Sequence, residues 1–144
     1  DKVRGAALYA HCFTCTRQSR AAVEIARALA AEGIAALRFD FTGLGGSGGD
    51  FGSAGFASDI EDLIESAAFL AGRFGEGLLL VGHSLGGAAV LAAAGMMPQG
   101  RAAAVATIGA PAHVPHVLGN IEGDLDAIAR QGAGKVRIGG REYD

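Results

Sequence analysis

Four short apolar runs alternate with stretches of helical period along these 144 residues, and that alternation limits the architectures open to the chain. The runs are 4–10 (RGAALYA), 34–39 (IAALRF), 78–82 (LLLVG) and 102–111 (AAAVATIGAP). Each is too short for a free-standing helix and apolar at consecutive positions, as a strand covered on both faces must be. Between them, 19–33 places Ala22, Val23, Ala26, Leu29 and Ala30 on one helical face, with Gly33 at the stop position. Residues 56–74 repeat Ile60, Leu63, Ile64, Ala67, Ala68 and Ala71, with Ser58 as the expected N-cap and acidic residues in the first turn. A third helix is expected over 85–97, ended near Pro98. The pattern predicts an α/β fold: a parallel sheet with helices on both faces. Right-handed crossovers bring the strand C-termini to one edge, where ligands bind in such sheets. Residues 113–132 read as partly helical, broken by Pro115, Gly119 and Gly123, and 135–143 as two short strands around Gly139 and Gly140.

The length fits one domain, 1–144, with enough chain for a real core. A net charge of −3 with scattered basic residues argues against a nucleic-acid partner. No apolar stretch reaches 18 uninterrupted residues, so no membrane span or membrane partner is expected. The chain opens DKVRGAALYA, with neither Met nor a signal-peptide pattern, and ends abruptly at KVRIGGREYD. The expectation is a cytoplasmic protein and a domain cut short at both ends.

Residues 78–95, LLLVGHSLGGAAVLAAAG, carry the chemistry. Gly82-His83-Ser84-Leu85-Gly86 matches G-x-S-x-G, and it stands where that motif has physical meaning, between a buried strand and a helix. A serine in such a turn is lifted clear of the sheet toward the helix N-terminus, whose dipole favours negative charge. Small residues must flank it because strand and helix backbones approach closely, and Gly82, Gly86, Gly87, Ala88 and Ala89 meet that need. The bland alternative is a glycine-rich turn with Ser84 as a helix cap.

These residues resemble the α/β-hydrolase superfamily through nearly the whole chain. YAHCFTCT (9–16) looks like its oxyanion loop, with Cys12 in place of the usual glycine, and FDFTGLGGSGG looks like its D-x-R-G-x-G-x-S loop, with Thr42 in place of the arginine. The resemblance implies an oxyanion hole built from the backbone N–H groups of Phe13 and Leu85, with His11 orienting the loop and Gly82 and Gly86 supporting the elbow. It also implies a small-molecule acyl substrate (ester, thioester or amide) and no cofactor. More narrowly, AHCFTCT, LRFDFTGLGGSGGDF and GHSLGGAAVLAAAG look like the hydrolase half of bacterial proteins in which an OsmC-like domain is fused behind the hydrolase. In the superfamily an acid and then a histidine follow the serine in chain order. Only one convincing strand follows Ser84, and it ends without an acid. His113 and His116 would serve as base only if their segment folds back over the sheet edge. The expected positions of acid and base lie beyond Asp144, which predicts little activity for this chain alone.

Other signals compete. Gly43-Leu44-Gly45-Gly46-Ser47-Gly48 fits G-x-G-x-x-G, but a dinucleotide site needs a helix to open on those glycines, and the next one starts only near Phe56. Cys12 and Cys15 are placed as a thioredoxin-like pair or as two small buried residues. A zinc site using them with His11 lacks a second ligand pair. His83 is expected to point away from Ser84, and Asp59, Glu61, Asp62 and Glu65 read as a solvated helix face. Three functions therefore stand: a serine hydrolase, a non-catalytic module on the same fold, and a dithiol redox protein.

Overall fold

The computed structural model describes residues 2–114, 121–123, 128, 130–131, 134–138 and 141–143. Strands β1 (Gly5–Ala10), β2 (Ile34–Arg38), β3 (Leu78–His83) and β4 (Ala102–Ile108) form one sheet in the order β2-β1-β3-β4. All three pairings are parallel, as expected. The connections are α1 (Arg20–Ala31), α2 (Phe56–Phe74) and α3 (Leu85–Met96). On one face α2 and α3 bury Leu8, Leu63, Leu70, Leu80 and Val90 in the main core. On the other, α1 covers a smaller cluster around Tyr9, Ala22 and Val81. The side chains of β1 and β3 alternate between the two clusters, which is why both strands read as continuous apolar runs.

Helix starts follow capping chemistry. Ser19 caps α1, its Oγ accepting from the Ala22 N–H at 3.4 Å. The α2 cap is Gly55, not Ser58. Ser58 lies inside the first turn, its Oγ accepting from the Gly55 N–H at 2.9 Å and donating to the Gly55 carbonyl at 2.7 Å. A hydroxyl placed there reaches back to the cap residue, the serine counterpart of a capping-box glutamate. The inward faces also differ in detail. Ala30 and Ala68 are exposed, while Ile25 packs against the smaller cluster and Leu70 is buried.

The expectation that all four strands are covered on both faces fails at β4. Most of its residues are exposed, Ile108 at 46%. It is the sheet edge, and α1 packs on β1 and β2, too far across to reach it. Near the C-terminus β5 (Ile121–Glu122), β6 (Val136–Ile138) and β7 (Arg141–Tyr143) form a small antiparallel sheet. It contains the two expected short strands and one more. The breaks expected at Pro115 and Gly119 fall outside the described residues. Among the described residues no helix is long and apolar enough to cross a membrane, and no cluster of His, Cys, Asp and Glu could hold a metal ion.

Candidate active site

One residue, Ser84, separates β3 from α3. Its φ of 53° and ψ of −123° lie where an L-residue is strained, a conformation that costs about 1–3 kcal/mol and persists only when the surroundings enforce it. They do so through hydrogen bonds. Its N–H donates to the Ile108 carbonyl at 2.8 Å, and its carbonyl accepts from the Gly87 N–H at 2.8 Å as α3 begins. The hydroxyl makes no capping hydrogen bond, although the residue occupies the cap position. Strand and helix meet so closely that a Cβ on Gly82 would fall on the Gly86 carbonyl, and one on Gly86 on the carbonyls of Ala10 and His11. Neither site admits any other residue without backbone movement.

The loop after β1 is braced at several points. The Cys15 N–H bonds the Cys12 carbonyl at 3.0 Å. Cys12 and Cys15 are joined as a disulfide, so they are not two separate small side chains, and both are half-buried. Between them Thr14 has φ of 61°. Among the described residues Thr14 and Ser84 are the non-glycine positions with positive φ, and both lie at this sheet edge. His11 is 1% exposed. Its Nε2 accepts from the Phe41 N–H at 3.2 Å, so Nδ1 carries the proton and donates to the Cys12 carbonyl at 2.8 Å. Burial pushes its pKa down, outweighing the bond to Cys12 and the nearby Asp40 charge, so the ring stays neutral. His11 thereby ties the loop after β1 to the one after β2, with its ring edge-on to Phe41 at 4.8 Å.

The loop after β2 is organised by Asp40, 4% exposed. Its carboxylate accepts from the N–H groups of Arg17 at 2.6 Å and Gly46 at 2.9 Å, with the Arg17 guanidinium at 3.5 Å. Burial alone would raise the Asp40 pKa, but these donors and the Arg17 charge hold it below the usual carboxylate range. The glycine-rich segment is thus folded around its own carboxylate, and α2 opens only at Phe56. That arrangement leaves no phosphate cradle.

Next to these loops lies a cavity of about 650 Å³. Phe13 and Leu85, whose N–H groups the resemblance singles out, both line it, as do His11 and Gly86. Ser84 is half-buried and is not part of the lining. His83 is half-buried, with its Nδ1 lacking a partner among the described residues. His113 is exposed and away from the cavity lining, and His116 lies outside the described residues. Among the described residues no histidine is hydrogen-bonded to Ser84.

The acidic run on α2 is not a uniform solvated face. Glu61 and Glu65 are exposed, but Asp59 and Asp62 are half-buried. Asp62 accepts from the Thr42 N–H at 2.8 Å and from the Thr42 hydroxyl at 3.0 Å. Asp59 lines the cavity, where burial, and then the charge of Asp62, push its pKa up to about 6. The sequence held a signal for this: position 59 falls on the same helical stripe as Phe56 and Leu63, three before and four after.

Comparison with known proteins agrees with this geometry. No curated protein matches the chain significantly. Among solved structures, Est1E from Butyrivibrio proteoclasticus, determined with ferulic acid bound, is 28% identical over 67% of this chain and 41% of its own (TM-score 0.56). Mouse alpha/beta hydrolase domain-containing protein 10 is 25% identical over 74% of this chain and 40% of its own (TM-score 0.60). The monoacylglycerol lipase of Paleococcus ferrophilus shares the fold at 20% identity, over 93% of this chain and 50% of its own (TM-score 0.67). The chain therefore spans half or less of the length of these structures. The family model described as serine aminopeptidase, S33, matches residues 2–133. With the parallel sheet and the strand–serine–helix turn it matches, the chain belongs to this family of α/β-hydrolases.

Proposed function

We propose that this chain carries the nucleophile of a serine hydrolase acting on an ester, thioester or amide. Ser84 Oγ would attack the acyl carbon, and the N–H groups of Phe13 and Leu85 would hold the developing oxyanion. Removing one such donor costs about 10²–10³ in rate in other enzymes, so the bracing of the loop by His11 matters to turnover. The observation that carries the reading is the strained Ser84 backbone together with a hydroxyl that caps nothing. A serine kept only as a helix cap would use its oxygen on the helix. Activity of this chain alone should be low. No described histidine is bonded to Ser84, and losing a triad member costs about 10⁴–10⁶ in turnover.

A fluorophosphonate probe tests the assignment. We expect slow labelling of the folded chain that disappears in Ser84→Ala and after denaturation. Labelling that survives Ser84→Ala would remove Ser84 as the nucleophile. No labelling of a chain shown to be folded by circular dichroism would favour the second reading, a non-catalytic module. That reading draws on the same unbonded hydroxyl, which lacks a base among the described residues.

A further inference from the structure

The disulfide between Cys12 and Cys15 takes no part in the hydrolysis proposed above, yet it closes the loop on which that chemistry depends. The two Cα atoms lie 5.2 Å apart, and the Cys15 N–H donates to the Cys12 carbonyl at 3.0 Å, so the bond staples the ends of one tight turn. Phe13 and Thr14 are the residues inside it. Thr14 has φ of 61° at the second central position, where a positive φ calls for Gly or Asn. A β-branched residue there is strained and stays only because its surroundings enforce it. Either side of the turn is anchored by other means. His11 donates to the Cys12 carbonyl at 2.8 Å, and the Arg17 N–H donates to the Asp40 carboxylate at 2.6 Å. Between these anchors the S–S bond and one backbone hydrogen bond close the turn, and the Phe13 ring leans on Phe51 at 6.0 Å. Both cysteines are half-buried and Cys12 lines the cavity, so a small thiol can reach the bond. Partly exposed disulfides of the Cys-x-x-Cys type exchange more readily than buried structural ones.

We propose that Cys12–Cys15 is a site of reversible exchange with low-molecular-weight thiols, and that its bond keeps Thr14 left-handed and the Phe13 N–H in place. An external thiolate attacks one cysteine sulfur, the S–S bond breaks, and the other cysteine leaves as thiolate. A second external thiolate then frees the first cysteine from the mixed disulfide. Two electrons and two protons pass to the pair, and two external thiols become one disulfide. A low-molecular-weight disulfide drives the reverse. Once the bond is open, Thr14 returns to an ordinary φ and the Phe13 N–H loses its fixed direction. The anchors at His11 and Arg17 confine the change to the loop. As regulation of hydrolysis this rests on the proposed role of Phe13; the exchange and the loop release do not.

The test compares the chain oxidised with glutathione disulfide and reduced with glutathione, each state verified by thiol alkylation and mass. Amide hydrogen exchange over 12–16 should rise at least about tenfold on reduction, with the strands unchanged. Fluorophosphonate labelling of Ser84 should slow by at least about tenfold, part of the roughly 10²–10³ that one oxyanion donor is worth. The double variant Cys12→Ser/Cys15→Ser should label at the slow rate in both buffers. Thr14→Gly accepts the left-handed turn without help and should keep most of its labelling rate when reduced. The proposal is overturned by a bond that millimolar glutathione leaves intact in the folded chain, or by loop exchange that reduction does not change. Equal labelling of the two states overturns it and leaves the hydrolase standing, and a reduced Thr14→Gly that slows as far as the parent also overturns it. If the probe labels neither state, the nucleophile assignment fails, and loop exchange alone decides the redox site.

Discussion

Ser84 concentrates the conflict between local preference and imposed geometry. Its left-handed φ is what glycine adopts freely, so Ser84→Gly should stabilise the chain by about 1 kcal/mol while ending all probe labelling. Thermal unfolding checks the gain, and a loss of stability would mean the turn is not strained. The same trade appears in charge at two aspartates. The folded-state pKa of Asp59 is raised from 3.8 to about 6, so the folded chain holds a proton that the unfolded chain releases. Its effect is to raise stability as the pH falls from about 6 to about 4. His11, whose pKa is lowered, acts oppositely below its ordinary 6.5. The clean expectation is therefore a difference: relative to Asp59→Asn, the parent gains stability between pH 7 and pH 4.5 in urea titrations. Asp40, held below the usual range, stabilises fully above about pH 4, and that contribution goes as the pH falls through its folded value. The sequence displayed Ser84 through its neighbours, because close backbone approach demands glycine in a readable pattern. It signalled Asp59 only through its place on the apolar stripe of α2, because an aspartate in the first turn of a helix is favoured there whether it faces water or a cavity.

At the scale of elements, the helices and strands follow from periodicity, and their ends from caps. The loops carry the site and depend on long-range bonds. The turn after β1 is held by a disulfide, by His11 and by Arg17 bonded to Asp40, residues contributed by two connections. Breaking the short covalent loop with Cys15→Ser should lower stability by up to about 2 kcal/mol under non-reducing conditions, from the entropy returned to the unfolded chain. The same change in a reducing buffer should cost far less, and an equal loss in both buffers would show that the cysteines are not joined in solution. Spacing alone could place Cys12 and Cys15 on one turn. Whether their sulfurs meet depends on how the chain folds back between them.

Across the whole molecule, the two faces of the sheet are unequally covered. β1 and β3 are buried on both sides, while β4 presents a largely exposed run of Ala, Thr and Ile at the edge. An uncovered edge strand pairs readily with another chain, so the protein should self-associate as its concentration rises. Ile108→Lys should shift it toward monomer in size-exclusion chromatography, and an unchanged profile would place the contact elsewhere. By itself the sequence determined the parallel sheet, the helices on both faces and the serine turn. Those follow from hydrophobic period, chain handedness and the steric need for glycine, which act over a few residues or are common to all such folds. Only the tertiary structure decided that Asp40 and not a phosphate fills the glycine-rich loop, that His11 is neutral and doubly bonded, and that Asp59 faces a cavity. Each of these depends on groups distant in sequence meeting at one sheet edge, where burial and bonding partners set the charge state, and no local pattern encodes those partners.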